Sequence, residues 1–314
     1  MKKILLYLIV ACGFFLKAAG QDDLLGGLMK DDSSKVKENV TTATFKSNRI
    51  INMQSVEMTG KGNLEFMISH HFGNIWNNGK GWQNVAQLFG FNAGVATTYL
   101  SFDYSVKNWL NFGFASTGNS KYETWTKIRL TRQQTGKKNM PVTIDYLGLV
   151  NIDATDGPSP NDLTWNRFSF LHQLLIARKF SEKFSLQLIP SYIHYNVVPY
   201  GYNNTNNMYS IGFGGRYKLT NKTAISFEYS RQLNGYKDLL DETASATNYK
   251  PDLLSLGYDW DTGGHIFQFF ITSSTASTNI SQLTTNTNDF AKGNFSIGFN
   301  LNRSYGIKKV VQTH

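Results

Sequence analysis

Cysteine is almost missing from this chain: among 314 residues only Cys12 carries a thiol. A single thiol builds neither an internal disulfide nor a thiolate metal site. Proline is also scarce, at six, which leaves no room for a Pro-rich linker. Charged side chains make up 17% of the chain, against roughly 25% in an ordinary soluble domain. No apolar run approaches the roughly 20 residues that a membrane-spanning helix needs; the longest is Ile4 to Leu16. A solvated coil, a disulfide scaffold and a helical membrane protein are all excluded on these grounds.

Aromatic residues fill the space instead, with 22 Phe, 16 Tyr and 6 Trp beside 27 Gly. That balance favours extended strands. Lys2 and Lys3, the apolar run and the small residues Ala18, Ala19 and Gly20 read as a secretory signal over 1–20, cut before Gln21. A rival lipoprotein reading, with Ile9-Val10-Ala11-Cys12 as the lipobox, would strand Gly13-Phe14-Phe15-Leu16 beyond a very short apolar segment. Cleavage before Gln21 removes three lysines, no acid and Cys12, so the mature chain stays basic.

Residues 21–61 are polar and show no sustained period of 2 or 3.6, which reads as a periplasmic leader or plug. From Gly62 to Tyr305 the pattern changes to about twelve alternating stretches bounded by Gly, Asn, Asp, Ser or Thr. These run Asn63 to Phe72, Gly90 to Tyr104, Trp109 to Thr117, Tyr122 to Thr131, Val142 to Ile152, Arg167 to Phe180 and Phe184 to Tyr195. Met208 to Leu219, Ala224 to Leu233, Leu253 to Trp260, His265 to Ser274 and Asn294 to Tyr305 complete them. In the last, Phe295, Ile297, Phe299 and Leu301 share one face, while Asn294, Ser296, Gly298, Asn300 and Asn302 share the other. Helical spacing cannot reproduce that alternation.

Connections after even-numbered stretches are mostly short and those after odd-numbered ones mostly long. Gly118 to Lys121 and Arg132 to Pro141 break the rule. Tight turns at one end and long loops at the other are the plan of an outer-membrane barrel. The expected fold is therefore all-β, an antiparallel up-and-down transmembrane β-barrel of about 12 strands, within a range of 10 to 14, over 62–305, with a tail over 306–314. A secreted β-sandwich is the competing architecture. Its usual strands of five or six residues are shorter than these, and it has no need of aromatics at strand ends.

Several segments resemble a family of Bacteroidota outer-membrane β-barrels known only as a domain of unknown function. They are FKSNRIIN (Phe45 to Asn52), SVEMTGKGNLEFMISHHFG (Ser55 to Gly73), RLTRQQTGKKNMPVT (Arg129 to Thr143), HQLLIARKFSEKFSLQLIPS (His172 to Ser191), GFGGRYKLT (Gly212 to Thr220) and DTGGHIFQFF (Asp261 to Phe270). The resemblance implies an outer-membrane, porin-like location and fold and leaves activity open.

The polar faces of the stretches nominate Glu65, Asp103, Glu123, Lys127, Arg129, Asp145, Arg216, Lys218, Glu228 and Asp259 as lumen residues. Six acids among four bases suit either a salt-bridged filling of a narrow barrel or a selective polar path. A three-residue turn at Asn221-Lys222-Thr223 would set Arg216 opposite Glu228 and Lys218 opposite Ser226. A turn at Gly263-Gly264 would set Trp260 opposite Phe267, Tyr258 opposite Phe269 and Asp259 opposite Gln268. The GFGG run at Gly212 to Gly215 reads as lumen space or a bend.

His70, His71, His172, His194, His265 and His314 have no metal-binding spacing, and no serine-hydrolase elbow, P-loop or Rossmann glycine pattern occurs. The expectation is no catalytic, metal or cofactor site. Expected partners are outer-membrane lipid and an envelope protein, and no nucleic acid. The function that fits is a narrow or gated channel or an envelope adaptor, with a lipid-active barrel enzyme or a secreted binding module as alternatives. Phe299→Arg is expected to be severe and Asn300→Arg much milder, since the latter would face the lumen.

Overall fold

The computed structural model describes residues 39–74, 97–136, 138–155, 165–198, 205–234, 238–239, 247–248, 252–286 and 288–307. The expected signal segment over 1–20, the expected leader up to residue 38, most of the first long loop, and the expected tail beyond 307 lie outside them.

Twelve strands form one closed antiparallel barrel. They are β1 (Asn63–Asn74), β2 (Thr97–Lys107), β3 (Leu110–Thr117), β4 (Lys121–Thr131), β5 (Thr143–Asp153) and β6 (Phe168–Lys179). The second half comprises β7 (Phe184–Tyr195), β8 (Asn207–Lys218), β9 (Thr223–Gln232), β10 (Leu253–Asp261), β11 (Ile266–Thr272) and β12 (Ser296–Gly306). Each strand pairs with its neighbours in the chain, and β12 pairs with β1 from Ser296↔Asn74 to Gly306↔Asn63. Closure leaves no sheet edge unpaired, which is the condition for β-structure in hydrocarbon. It also rules out the two-sheet sandwich.

The faces are inverted relative to a soluble protein. Polar side chains such as Ser101, Asn111, Gln187, Gln268 and Asn300 are buried, whereas Phe114 (47%), Leu256 (56%) and Phe269 (50%) are exposed on the outside. On β12, Ser296, Asn300 and Asn302 are buried while Ile297, Phe299 and Leu301 are only partly covered. Outward apolar and inward polar positions alternate as a membrane barrel requires.

Two hairpins test the register. Between β10 and β11, Trp260 pairs with Phe267, Tyr258 with Phe269 and Asp259 with Gln268. Gly263 takes the positive φ, +89°, that the turn demands. Between β8 and β9 the turn sits one residue earlier than expected. Leu219 and Thr220 both donate backbone N–H bonds to the Thr223 carbonyl, and the Thr220 hydroxyl accepts from the amides of Lys222 and Thr223. The loop is therefore Thr220-Asn221-Lys222. Arg216 pairs with Ser226, Lys218 with Ala224 and Glu228 with Gly214, which overturns the Arg216–Glu228 and Lys218–Ser226 pairings. A one-residue shift of the turn slides the register by two, which leaves every side chain on its own face.

The long connection over 132–142 and the tight one over 118–120 are true exceptions to the loop rule. The first sits at the tight-turn end of the barrel and pairs Gln134–Thr135 with Asn39–Val40.

Candidate functional site

The barrel interior is filled from both ends. From the tight-turn end the chain enters beside the β4–β5 connection, where Thr41 donates its amide to the Gln133 carbonyl and Arg132 donates to the Thr41 carbonyl. Residues 44–57 then fold into a narrow hairpin inside the barrel. Arg49 and Gln54 bridge, Ile50 N–H bonds the Met53 carbonyl at 2.9 Å, and Ser55 N–H bonds the Asn48 carbonyl at 2.9 Å. Glu57 closes the base by accepting from the amides of Thr44 and Phe45.

Wall side chains hold this plug through its backbone. The Glu228 carboxylate accepts from three successive tip amides, those of Ile51 (3.3 Å), Asn52 (2.9 Å) and Met53 (3.0 Å). Gln268 and Asn300 donate to the carbonyls of Ile50 and Ile51 at 2.7 and 2.8 Å. Gln187 donates to the Gln54 carbonyl and accepts from Val56 N–H. Lys127 donates to the carbonyls of Ser55 and Glu57 at 2.8 and 3.0 Å, and Arg129 donates to that of Val56. Burying so many backbone groups without these partners would be costly, because each lost bond exposes a full desolvation penalty.

Apolar packing completes the fit. Phe45, Ile50, Ile51, Met53 and Val56 cluster with Leu175, Ala177, Ile189, Leu253 and Phe270. Wall glycines make the space: a Cβ on Gly214 would stand 2.6 Å from Ile50 Cδ1. Gly212 and Gly214 of the GFGG segment are therefore room for the plug tip, while Gly215 lies against the wall side chains Phe227 and Leu186.

The second seal comes from the long-loop end. The β11–β12 connection folds inward and carries one short helix, α1 (Asn279–Thr284), capped by the Thr278 hydroxyl. Ile280 and Leu283 pack against Met67, Leu147, Leu149, Leu171, Ile193 and Met208. Tyr195 and Thr284 share a hydroxyl–hydroxyl bond of 2.8 Å. A cleft of about 470 Å³ opens beside α1, lined by Thr97, Thr117, Thr278, Ser281 and Thr285 among others.

Each nominated lumen residue has a defined place. Arg129 and Asp145 pair directly across β4 and β5 with an N···O distance of 3.1 Å. Arg216 bonds Asp259 on β10 at 3.3 Å, and Ser226 and Gln268 also donate to Asp259. Asp103 accepts from the Trp125 indole at 3.0 Å, and Glu65 stands opposite it in register and accepts from Ser304. Glu123 accepts from Tyr99 and Asn279. Lys127 and Glu228 are fully buried and bind plug backbone, while Lys218 is only half-buried beside the turn. The ten do not form one cluster.

Choosing charged residues alone missed the uncharged grips Gln187, Gln268 and Asn300, which carry the same inward parity. It also missed Arg49, Tyr99 and Asn279. Arg49 lies in a stretch without periodicity and Asn279 in the long β11–β12 connection, so only the inward parity of Tyr99 could have been read.

The histidines scatter. His71 points inward to the Ser274 carbonyl and His70 outward against Phe299. On the outer face His172 bonds the Tyr146 hydroxyl at 2.6 Å and His194 bonds Asn207 at 2.8 Å.

No curated protein matches the sequence. Several solved outer-membrane barrels are similar to this chain at low identity. An outer membrane channel from Pseudomonas putida F1 is 12% identical, with a TM-score of 0.47 over 83% of this chain and 100% of that one. The KdgM porin is 8% identical, with a TM-score of 0.42 over 77% and 98%. The outer membrane phospholipase A of Escherichia coli is 12% identical, with a TM-score of 0.44 over 82% and 95%. Residues 45–305, from the first turn of the plug to the end of β12, match the model of the membrane bound beta barrel domain DUF5777, so the chain belongs to that family.

Proposed function

We propose that this protein is a gated outer-membrane channel whose gate is its own segment over 44–57. The observation that carries the reading is the chemistry of the wall behind the plug. Glu228, Gln187, Gln268, Asn300 and Lys127 spend their polar groups on plug backbone rather than on one another. Withdrawing the hairpin would leave a water-accessible lane of hydrogen-bonding groups of both signs, suited to a polar solute. A permanently filled scaffold would do better with an apolar interior, since buried polar networks are stable only when fully satisfied.

The gate enters at the tight-turn end, which faces the periplasm in barrels of this plan. An envelope protein that takes hold of the chain there would pull on the plug along its own axis. The exposed outer aromatics and aliphatics would meet lipid. A lipid-active enzyme has less support, because among the described residues the outer imidazoles bond a tyrosine, an asparagine and an arginine and no serine hydroxyl.

Liposome swelling tests the proposal. Vesicles carrying a chain that lacks residues 44–57 and has α1 loosened by Ile280→Ala should swell in small neutral sugars, and those carrying Ile280→Ala alone should swell far more slowly. Equal, negligible swelling from two folded barrels would refute the channel.

A further inference from the structure

The two seals enter from opposite ends, and the residues that join them are 230 positions apart in the chain, yet they meet in one buried cluster. Arg49 donates to the Asn279 side-chain oxygen at 3.0 Å and to the Tyr99 hydroxyl at 2.7 Å. It also holds its own hairpin through the Asn52 carbonyl at 2.7 Å. Its guanidinium lies 4.9 Å from the centre of the Tyr99 ring and 5.9 Å from that of Trp125. Glu123 on β4 accepts from Tyr99 at 3.0 Å and from the side chain and backbone amide of Asn279 at 2.7 and 3.2 Å. Arg49, Tyr99, Glu123 and Asn279 are each at most 4% exposed.

We propose that these four residues are a latch that makes the two seals interdependent. The inference rests on the gated-channel reading and gives it a direction of control: lifting α1 from outside loosens the plug on the periplasmic side. If α1 leaves, Arg49 loses its bond to Asn279 and Glu123 loses two donors. If the plug leaves, Glu123 loses the neighbouring positive charge, and a buried carboxylate without compensation is costly. Either departure weakens the hold on the other seal, and such coupling is reciprocal by thermodynamic necessity.

Other plug contacts lack this property. Asn300 grips the Ile51 carbonyl at 2.8 Å without touching α1, so it separates a latch from general loosening. Two reporters in the full chain, reconstituted in vesicles, read the two seals. Trypsin supplied to the tight-turn side, with cleavage after Arg49 followed by mass spectrometry, reports release of the plug. A maleimide supplied to the long-loop side, acting on Leu283→Cys in a Cys12→Ser chain, reports lifting of α1.

Asn279→Ala should raise cleavage after Arg49 about tenfold, within the usual range for coupled sites. Arg49→Met should raise labelling at position 283 about tenfold, and Arg49→Lys, which keeps the charge, should raise it less. Asn300→Ala should raise cleavage and leave labelling unchanged. The latch is overturned if Asn279→Ala leaves cleavage unchanged, or if Arg49→Met and Asn300→Ala label alike. Coupled labelling in a barrel that passes no solute would keep the latch and refute the channel.

Discussion

The tight-turn half of the barrel is closed by a segment gripped through its backbone, whereas the long-loop half is closed by a helix held through its side chains. The plug offers amides and carbonyls to Glu228, Gln268, Asn300, Gln187 and Lys127. The α1 seal offers Ile280 and Leu283 to an apolar cluster. Backbone recognition ignores most of the plug's side chains, so it suits an element that must leave and return to the same place. Apolar burial depends on shape and contributes roughly 1.5–3 kcal/mol for each large side chain covered. The two halves should therefore fail differently under mutation.

The largest effect is expected at Glu228, where one carboxylate serves three amides. Glu228→Ala should weaken the plug by about 3 kcal/mol or more, because three buried amides lose their acceptor at roughly 1–3 kcal/mol each. Tryptic cleavage after Arg49 would rise while the heat-unfolding of the barrel in detergent changes little. On the other side, Ile280→Ala should cost about 2–5 kcal/mol of α1 packing and raise maleimide labelling of a Leu283→Cys reporter from the long-loop end. The comparison breaks if Glu228→Ala unfolds the barrel and Ile280→Ala leaves α1 in place.

Next in size is the outer face. Phe299→Arg should cost about 2–4 kcal/mol near the membrane midplane, read from urea unfolding in vesicles. Asn300→Arg cannot be the mild change that an open lumen would allow. Asn300 is 1% exposed and bonded to plug backbone, so an arginine there should expel the plug and spare the barrel. Cleavage after Arg49 separates these outcomes.

A smaller effect tests register inside the wall. Arg216→Gln with Asp259→Asn should be non-additive in a double-mutant cycle, and Arg216→Gln with Glu228→Gln close to additive, because the first two residues touch and the latter two bind different partners. The smallest effect is expected at the tight-turn rim. Lys179 holds the Glu182 carboxyl below its ordinary range through a bond of 2.9 Å. That contribution is present at neutral pH and lost as the pH falls through the lowered value. Glu182 is fully exposed, so Glu182→Gln should leave the unfolding midpoint unchanged.

Strands and faces were legible because period 2 is unambiguous over ten residues. Phe184–Tyr195 and the inward parity of Asp145, Glu228 and Asp259 follow directly from it. Register was legible only where a glycine fixed the turn, at Gly263. At Thr220-Asn221-Lys222 any of several residues could start the loop, and parity cannot detect a shift of two. The seating of residues 44–57 was not legible, since contacts to backbone leave no pattern in side-chain polarity. The α1 segment, NISQLT, is too short and too polar to stand out. Its two apolar residues acquire meaning only once Leu147, Leu171 and Ile193 surround them.

The central claim is that solute passes only when the hairpin leaves the barrel. Asn52 in the plug tip bonds Ser255 on β10 at 2.9 Å, so cysteines at both positions lie within reach of a short, reducible bis-thiosulfonate cross-linker. In a Glu228→Ala chain carrying Asn52→Cys and Ser255→Cys, planar-bilayer current should vanish on cross-linking and return when reductant is added. Current that is indifferent to the tether would mean the plug is not the gate.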